Sequence, residues 1–348
     1  YGIYLENTAV SQSDSKLTLA SGSKIVMSDN GVTDRSIGIS LKNSTLTNNG
    51  GTVEVGVNGV GIYAENSKVT GTGGVTKLHG KSVGYSLAEN IDFNAAIGNV
   101  EFNGSNDVAA VFTIGDKTAG NTLVFNPGDI TVTSANGGKL TAGSIGIGRD
   151  LTFNNKIEIK APTSGVISGA MLSLTEAKLT LDTGAKLISE NDMIGVNATG
   201  AYSLPGYEVT NKGEISIKGN SAGIYVANGA EALNDTSGKI RIGEKSVGMY
   251  GDPAGNNSAI VNNGEISLNG LSAVGMYGTI TGAGTLTVNN TGIIKSEKDS
   301  SNNYYTGTLG MVLENTAITA TNSGSIDLRG NGSIGVYNKD GKFELTNG

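Results

Sequence analysis

A short motif with a central glycine recurs along the chain at nearly constant spacing. It consists of an aliphatic residue, glycine, a second aliphatic residue and often tyrosine; clear copies are SAGIY at 221–225, SVGMY at 246–250 and AVGMY at 273–277. Successive copies are mostly 23 to 28 residues apart, and three longer steps are 35 or 36 residues. A period of this length indicates a repeat fold in which each copy marks one structural unit. Between Gly84 and Gly146 no glycine fits, and Ala110 is assigned to the motif position.

Two further elements recur within each period. One is an Asn-x-Gly-x-aliphatic-x-aliphatic unit, as in NKGEISI at 211–217 and NNGEISL at 262–268. The other is a short run that ends in asparagine, as in EVTN at 208–211 and TVNN at 287–290. Both alternate apolar and polar residues with a period of two and are bounded by Asn, Gly and Ser, which is typical of short strands separated by turns. Each period therefore predicts three short strands and no helix.

Three short strands per period favour one fold over the other repeat architectures. Leucine-rich repeats have a similar period but need an L-x-x-L-x-L-x-x-N frame, which this chain lacks, and propeller blades need about 40 residues and four strands. In a parallel β-helix, each coil pairs its backbone with its neighbours, and inward side chains stack into one core. We therefore predict an all-β chain that forms a right-handed parallel β-helix (β-solenoid) of about 12–13 coils. Both ends of the sequence fall within the motif, so residues 1–348 are interpreted as a single segment of a longer repeat array.

Alternation with a period of two assigns faces to the motif. In SVGMY, Val247 and Met249 share one face of the strand, and the glycine and tyrosine share the other. Because the aliphatic pair recurs in most coils, we predict that it points inward and that glycine and tyrosine point outward. Tyr225, Tyr250 and Tyr277 fall in consecutive coils, which predicts a short exposed tyrosine ladder beside a glycine column.

Asparagine precedes the turn glycine in several coils. Asn211, Asn262 and Asn322 occupy equivalent positions, where stacked side-chain amides bond to one another and to the backbone, as in other stacked-strand assemblies. We assign these three residues a structural role in the turns.

Composition bears on several classes of function. The 24 Lys and Arg residues are scattered and the net charge is −7, so no nucleic-acid partner is expected. The chain contains no cysteine, which suits a reducing compartment and equally suits a chain that crosses an envelope unfolded. No stretch approaches the roughly 18 apolar residues of a membrane helix, and the first residues lack the pattern of a signal peptide.

No catalytic or metal-binding constellation is found. His79 is the one histidine and cysteine is absent, so Cys/His, zinc and Ser-His-Asp schemes lack their residues or motifs. Glu214 and Glu265 fall at equivalent outward positions, where they are expected to stack with Lys or Ser neighbours. The Asp-Arg or Arg-Asp pairs at 34–35 and 149–150 are isolated hints of the charged clusters that β-helical lyases and glycosidases carry. We predict no enzyme activity, no cofactor and no metal.

Insertions are the places where such a scaffold would carry binding residues. The predicted loop insertions lie near 116–138, 197–207, 251–258 and 296–308. The tyrosines in these loops are Tyr202, Tyr207, Tyr304 and Tyr305. Together with the ladder tyrosines they are candidates to bind a sugar or a protein, because tyrosine presents a flat apolar ring and a hydroxyl group. The alternative is that each ring packs against the side of the chain's own solenoid.

The recurring motifs resemble those of a known family. A Gly-aliphatic-Tyr step followed by Glu-Asn and Ser or Thr occurs in GIYLENT at 2–8 and GIYAENS at 61–67, with a variant, GMVLENT, at 310–316. Together with the N-x-G-x-I-x-L strands, these residues resemble the passenger repeats of large fusobacterial type V autotransporters, which are outer-membrane adhesins. The resemblance covers essentially the whole chain and is weakest across 90–180. Two coils depart from it, because Ser40 and Val312 replace tyrosine and are expected to break the ladder.

The resemblance implies an exported passenger that is held at the cell surface by a C-terminal β-barrel outside this sequence. Members of the family bind host cells, immune receptors, glycans or partner bacteria, so the implied partner is a host cell-surface protein receptor or glycan, or other bacteria. No binding residue is carried over, because the shared repeat is scaffold. We therefore expect an extracellular passenger segment of a bacterial surface adhesin. The alternatives are a β-helical carbohydrate-active enzyme (lyase or glycosidase) and a purely structural spacer rod.

Overall fold

The chain folds into coils that each contribute one short strand to each of three parallel sheets. The computed structural model describes residues 2–8, 15–27, 36–104, 106–203 and 205–346. All regular structure in these residues is β-strand, and none of them belongs to a helix that could span a membrane. The all-β class and the parallel solenoid that the repeat predicts are confirmed.

The strands are short and follow one another with brief turns. Those of the first half are β1 (Ile3–Glu6), β2 (Lys16–Leu19), β3 (Lys24–Val26), β4 (Ile37–Lys42), β5 (Thr45–Val55), β6 (Val60–Glu65), β7 (Lys68–Leu78), β8 (Val83–Leu87), β9 (Ile91–Ala95), β10 (Gly98–Phe102), β11 (Ala109–Ile114), β12 (Leu123–Phe125), β13 (Ile130–Ser134), β14 (Asn136–Ile145), β15 (Asp150–Phe153), β16 (Lys156–Ile159) and β17 (Ser164–Thr175). Those of the second half are β18 (Lys178–Leu181), β19 (Lys186–Ser189), β20 (Asp192–Thr199), β21 (Val209–Asn211), β22 (Glu214–Ile217), β23 (Ala222–Ala227), β24 (Glu231–Asn234), β25 (Lys239–Ile242), β26 (Val247–Asp252), β27 (Ser258–Asn262), β28 (Glu265–Leu268), β29 (Val274–Thr279), β30 (Leu286–Asn290), β31 (Ile293–Ser296), β32 (Leu309–Glu314), β33 (Ile318–Asn322), β34 (Ser325–Asp327), β35 (Ile334–Lys339) and β36 (Lys342–Leu345).

Two compact units make up the chain. Unit 1 comprises Tyr1–Arg149 and Asn155–Leu172, and unit 2 comprises Asp150–Asn154 and Ser173–Gly348. The interpretation of residues 1–348 as one continuous segment of a longer array stays a prediction.

In unit 1, the first sheet contains β1, β4, β6, β8, β11 and β14 in this order. The other two sheets share the long strands β5 and β7, which pair along their length with shifts in register in the middle. Their first halves pair with β2 and β9, and their second halves with β3 and β10. Gly50 and Gly71 lie where the strands bend, with φ of 99° and 117°. Glycine adopts this conformation without the strain of a side chain, so the chain turns a corner of the coil without leaving the sheet.

In unit 2, the three strands of a coil are separate and the register is regular. The first sheet is β20-β23-β26-β29-β32-β35, the second is β15-β18-β21-β24-β27-β30-β33-β36, and the third is β19-β22-β25-β28-β31-β34. Equivalent residues of the repeat face one another: Met249 pairs with Met276 in the first sheet, and Ile240 pairs with Ile266 in the third. Inward side chains therefore stack into columns, and their burial supplies the main stabilising term of the fold.

Over the residues that the structure describes, the coils make about 11 turns, slightly fewer than the 12–13 predicted. The sequence estimate counted every motif copy as one coil, including the copies in β1 and β35 at the two ends. Two motif positions were also assigned wrongly in unit 1. Because Phe112 pairs with Gly143, the motif position of β14 is Ala142 and not Gly146. Ala110 pairs with Val83 and Phe112 with Tyr85, so Val111, and not Ala110, lies opposite Gly84.

The motif glycine faces the core and not the solvent. In β26, Met249 is fully buried, whereas Val247 is only half-buried. A Cβ atom on Gly248 would lie 2.7 Å from Cγ2 of Ile266 in the core and 2.5 Å from the carbonyl oxygen of Gly275. The prediction that Val247 points inward and Gly248 outward is wrong. Two consecutive residues face the core at this point, which interrupts the alternation on which the prediction was based.

The same close contact recurs in the neighbouring coils of unit 2. A Cβ atom on the motif glycine would lie 2.6 or 2.7 Å from Cγ2 of the core isoleucine in four further pairs, Gly195–Ile215, Gly223–Ile240, Gly275–Ile294 and Gly310–Ile326. The isoleucine is the first aliphatic residue of the Asn-x-Gly-x-Ile unit. The glycine motif and the isoleucine unit are therefore two halves of one packing arrangement, and the recurrence of both follows from it.

The Glu-Asn-Ser step after the motif tyrosine forms a corner of the coil. In β6, the Tyr63 hydroxyl donates to Oε2 of Glu65 at 3.1 Å. Asn66 then adopts a positive φ of 49°, which asparagine tolerates better than most residues. The Ser67 hydroxyl donates back to the carbonyl oxygen of Glu65 at 2.6 Å. The step that carries the family resemblance is thus a hydrogen-bonded turn.

The four predicted insertions differ in structure. Residues 116–138 contain β12 and β13, which pair with strands of neighbouring coils. Residues 197–207 comprise the last three residues of β20 and most of the connection to β21. Residues 251–258 span the connection from β26 to β27. Residues 296–308 connect β31 to β32 and fold back on themselves through an antiparallel bridge between Lys298 and Tyr304.

Candidate functional site

A column of stacked tyrosines lies on the outer face of the first sheet in unit 2. Tyr225, Tyr250 and Tyr277 come from β23, β26 and β29 and are in register. Consecutive ring centroids are 5.1 and 4.9 Å apart, and the rings meet edge to face. Such contacts stabilise aromatic pairs beyond the area that they bury. All three side chains are half-buried, so the ladder that the sequence predicts is present but less exposed than expected.

Further residues extend the ladder at its C-terminal end. Val312 pairs with Tyr277 on one side and with Tyr337 on the other. Although Val312 occupies an outward position, its exposed fraction is only 5%, because neighbouring side chains cover it. Val312 therefore interrupts the row of tyrosines but not the apolar column.

A second apolar column runs beside the first. Because the motif glycine and the residue after it both point inward, the residue before the glycine and the tyrosine become neighbours on the outer face. We define the tyrosine strip as these two columns together: Tyr225, Tyr250, Tyr277, Val312 and Tyr337, and Ala222, Val247, Val274, Leu309 and Ile334. Ile334 and Tyr337 are 44% and 42% exposed. Ala222 and Val312 are each 5% exposed, and the more exposed members of the strip present apolar surface of the kind found at interaction sites.

Carboxylates border the tyrosine column on the side away from the aliphatic column. Asp252 follows Tyr250 by two residues on the same strand face, and Oε2 of Glu314 accepts a hydrogen bond from the Tyr277 hydroxyl at 2.6 Å. Burial, with the nearby Asp252 carboxylate as the next cause, raises the pKa of Tyr250 to about 12. Burial and the bond to Glu314 also raise the pKa of Tyr277. The ladder hydroxyls are therefore neutral at physiological pH, within an acidic border.

A groove opens where the tyrosine column ends at Asn197, which pairs with Tyr225. Its volume is about 450 Å³, within the range of ligand pockets. The lining is mostly apolar, with Ile194, Ala222 and Val247 facing Tyr225 and Tyr250; Asn197, Asn220, Ser221 and Lys245 are the polar residues. Because asparagine and not tyrosine pairs with Tyr225 on this side, the aromatic column ends at Tyr225 and leaves room for the groove.

The structure gives Tyr304 and Tyr305 separate environments. The ring of Tyr304 lies 5.0 Å from Nζ of Lys298 and 5.7 Å from Cζ of Arg329, so its faces are engaged by cations of the same chain. Tyr305 lines a different groove of about 490 Å³ at the ends of β22, β25 and β28. Asp299 closes the loop, since its Oδ1 accepts hydrogen bonds from the backbone amides of residues 301 and 303.

Tyr202 and Tyr207 lie in the connection from β20 to β21. The buried carboxylate of Glu208 holds this connection in place through hydrogen bonds. Oε1 of Glu208 accepts a hydrogen bond from the backbone amide of Tyr202 at 2.8 Å, and Oε2 accepts one from the amide of Glu231 at 2.6 Å. Glu208 is 3% exposed. Both tyrosines are half-buried, and neither is among the residues that line the groove beside Tyr225. The seven candidate tyrosines therefore form one ladder of three and two separate loop pairs.

The predicted asparagines belong to one continuous ladder inside unit 2. Asn211 donates to Asn234, Asn234 to Asn262, Asn262 to Asn290 and Asn290 to Asn322, with Nδ2–Oδ1 distances of 2.8, 2.7, 2.7 and 2.6 Å. All five side chains are buried, so each amide replaces lost water contacts with bonds to its neighbours. The sequence-based prediction omitted Asn234 and Asn290, although both end strands of the kind that marks this position.

Arg149 of the charged pair at 149–150, which was considered for catalysis, has a structural role instead. Arg149 is 2% exposed, and its guanidinium donates to the carbonyl oxygens of Gly115, Ala88 and Asp116. Burial lowers the pKa of Arg149. It is therefore a buried clamp within unit 1 and not part of an outward charged pair with Asp150. The pair at 34–35 lies outside the described residues.

Several other acidic residues are engaged in surface ion pairs. Oε1 of Glu214 lies 3.2 Å from Nε of Arg241, and Oε1 of Glu265 lies 3.3 Å from Nζ of Lys295. His79 lies 3.7 Å from Glu54. In the part of the chain that the structure describes, no three His, Asp or Glu residues are grouped so that they could hold a metal ion.

Comparison with known proteins places the chain in a family. Residues 70–323 match the family described as the BigA third pectate lyase-like domain. No curated protein matches the chain. Among solved structures, the chain is similar to the crystal structure of a TibC-catalysed hyper-glycosylated TibA fragment, at 11% identity and a TM-score of 0.28, covering 99% of this chain and 98% of that chain. A likeness at this TM-score has no bearing on function. The resemblance to an autotransporter passenger segment is confirmed, and its fusobacterial source stays a prediction.

Proposed function

We propose, on the premise that this chain belongs to the family of the BigA third pectate lyase-like domain, that it is an adhesive passenger segment displayed at the bacterial cell surface. Its partner would be a host cell-surface protein or glycan, or a partner bacterium. The role is binding and not catalysis, and anchoring to the outer membrane would come from elsewhere in a longer protein. The observation that carries the proposal is the tyrosine strip.

The strip supports a binding role because the fold does not require it. The equivalent outward column of unit 1 carries Ser40, Ser86 and Ser144 within the same coil structure. The ladder tyrosines are half-buried, and the part of each ring that stays exposed presents apolar surface to water, which is a cost without a partner. Tyrosine is also among the residues that contribute most to binding energy at interfaces.

A direct test compares attachment of beads that carry the purified chain to host epithelial cells and to partner bacteria. Replacing both Tyr250 and Tyr277 with serine should reduce attachment about tenfold, the effect of losing one strong interface contact. Tyr63→Ser, the same change in the outward column of unit 1, serves as the control and should leave attachment unchanged. Equal attachment of both variants and the native chain would show that the strip has no role in adhesion.

A second candidate function is suggested by the name of the family. A pectate lyase-like scaffold favours a polysaccharide lyase, which would cleave an acidic polysaccharide by proton abstraction and elimination. Incubation of the chain with polygalacturonate, followed by absorbance of the unsaturated product, tests this alternative. Steady product formation by the purified chain would replace the adhesive proposal with an enzymatic one. Absence of both turnover and attachment would leave the spacer role.

A further inference from the structure

Tyr225 and Tyr277 of the tyrosine strip lie two coils apart, with the ring of Tyr250 inclined between them. Consecutive rings are inclined at 81° between Tyr225 and Tyr250 and at 70° between Tyr250 and Tyr277. Because neighbouring rings are not parallel, an equivalent ring recurs no sooner than the second coil. Adjacent strands are about 4.7–4.9 Å apart, so two coils rise about 9.4–9.8 Å along the stacking direction.

This interval matches the repeat of one extended polypeptide conformation. The polyproline II helix has three residues per turn and rises about 3.1 Å per residue, so every third side chain returns to the same side after about 9.3 Å. A β-strand returns to the same side after roughly 6.6–6.8 Å, which corresponds to neither one coil nor two. A proline-rich segment along the stacking direction would therefore meet every second coil with the same side.

The shape and chemistry of the strip suit proline rings. Its two apolar columns form walls on either side of the direction along which such a segment would lie, and the groove between Val247 and Tyr250 is already open. Aromatic-lined grooves are the usual receptors for proline-rich ligands, which lose little entropy because their conformation is preformed. Asn197 and Asn220 at the groove can donate hydrogen bonds to the carbonyl groups of such a ligand, which makes no internal hydrogen bonds.

The charges that border the strip favour proline-rich segments that carry a basic residue. Asp252 and Glu314 border the tyrosine column, and Asp252 lies on the strand of Tyr250. Lys245 is the one basic residue at the groove, and its Nζ lies 3.2 Å from Oε1 of Glu244. The border is therefore acidic overall, and a basic side chain in the ligand would be attracted to it.

We propose that the tyrosine strip of unit 2 is a docking site for a proline-rich protein segment in the polyproline II conformation, with proline at every third position and a basic residue beside it. The proposal rests on the adhesive function above, because it names the class of partner that the strip would hold. A glycan and a second copy of this chain are the competing occupants, and the experiment separates them.

The test measures binding of a fluorescent 12-residue synthetic peptide, with proline at every third position and one arginine, by anisotropy. A peptide of the same composition with prolines at every second position is the matched control. The native chain should bind the first peptide about tenfold more tightly than the second. Equal affinity for the two peptides, or no binding of either at millimolar concentration, would overturn the proposal.

Three protein variants locate the site. Tyr250→Ser should weaken binding of the first peptide about tenfold or more, and the serines of unit 1 indicate that a coil tolerates this residue. Tyr63→Ser should change the affinity by less than about twofold. Asp252→Asn should weaken binding of the arginine peptide about threefold and leave a glutamine version of that peptide unaffected, because only the charge interaction is removed.

A glycan and a second copy of this chain, the two competing occupants of the strip, would give results different from those of a proline-rich segment. Glycan-array binding that depends on Tyr250, without peptide binding, would overturn the proposal in favour of a sugar. Sedimentation that shows dimers lost on Tyr250→Ser would overturn it in favour of a second copy. If cell attachment depends on Tyr250 but the peptide neither binds nor competes, the adhesive function stands and the proline-rich partner is excluded. If the peptide binds but no cell attaches, the docking site stands and the adhesive function is excluded.

Discussion

Unit 1 and unit 2 distribute aromatic and amide side chains in opposite ways. In unit 1, four rings pack in the core in the order Tyr85, Phe93, Phe125 and Phe112, with successive ring centroids 5.5, 5.3 and 4.8 Å apart. In unit 2, the stacked rings lie on the outer face, and a ladder of buried asparagines lies inside. The comparison shows that the coil fixes which positions point inward but leaves the chemistry of each position open.

The outward columns make the same contrast in sequence. Residues of unit 1 at this position are Tyr4, Ser40, Tyr63, Ser86, Thr113 and Ser144, each paired with the next. Those of unit 2 are Asn197, Tyr225, Tyr250, Tyr277, Val312 and Tyr337. Serine or threonine holds four of these six positions in unit 1, whereas tyrosine holds four of the six in unit 2. Since both columns are compatible with the coil, the difference points to what each surface meets.

Truncating the aromatic core of unit 1 should have the largest effect. Phe112 is 1% exposed, and Phe112→Ala would leave a cavity beside Phe125 that costs about 3–5 kcal/mol. Urea unfolding followed by circular dichroism measures the loss. Phe343→Ala, at a half-buried position in unit 2, is the control and should cost clearly less. Similar losses for the two variants would remove the contrast between the cores.

Breaking the asparagine ladder of unit 2 should have the next largest effect. Asn262→Ala removes the acceptor of Asn234 and the donor of Asn290. Nδ2 of Asn234 keeps longer bonds to the carbonyl oxygens of Gly238 and Glu265, so one lost bond and one unsatisfied acceptor, Oδ1 of Asn290, together cost about 2–4 kcal/mol. Urea unfolding followed by circular dichroism measures this loss of stability. Asn263→Ala, which removes an exposed bond to Thr291, should cost less than about 1 kcal/mol. A small loss for Asn262→Ala would mean that the ladder forms without stabilising unit 2.

The motif glycine occurs in both units, so replacing it tests a packing contact that the two units have in common. Gly248→Ala would place Cβ 2.5 Å from the carbonyl oxygen of Gly275, and relief of that clash should cost about 1–3 kcal/mol. Gly335 holds the same motif position, but a Cβ atom there has no neighbour within 4 Å. Gly335→Ala should therefore be neutral in the unfolding experiment. Equal effects at the two glycines would show that backbone entropy, and not contact with the core, requires glycine.

The smallest effect concerns alkaline pH. Tyrosine loses its proton near pH 10 in the unfolded chain, whereas Tyr250 retains it to about 12 in the fold. Between these values the unfolded state binds fewer protons than the folded state, so stability falls as pH rises. The urea midpoint should decline from pH 10 to 12, and Tyr250→Phe should reduce the decline. A decline that is identical in the native chain and in the Tyr250→Phe variant would argue against a buried ladder hydroxyl.

Much of the fold follows from the repeat because its signals are local. The three strands per coil, the parallel pairing and the stacking of the ladder tyrosines all result from equal spacing between motif copies. The prediction for Val247 and Gly248 was wrong because it assumed strict alternation. The partner that places Gly248 inward is Ile266, which lies 18 residues further along the chain and in another sheet.

The candidate site could be predicted only in part. The tyrosine ladder could be predicted from the sequence because its members repeat. The aliphatic column could not be placed beside it, because the two columns are neighbours only where the alternation of the strand is interrupted. Tyr304 looked equally available in the sequence, but Arg329, which lies over its ring, is 25 residues away. No local pattern indicates such a contact, so the environment of a loop tyrosine depends on tertiary structure.

The asparagine ladder of unit 2 also makes whole coils interchangeable. Every rung is the same residue, bonded in the same direction to the next, so any rung can follow any other. Removing residues 247–273 would bring Asn234 next to Asn290 and Tyr225 next to Tyr277, with both columns intact. Loss or gain of one complete coil would thus be a tolerated genetic event, and the number of coils would be a property that selection can adjust independently of the sequence within each coil.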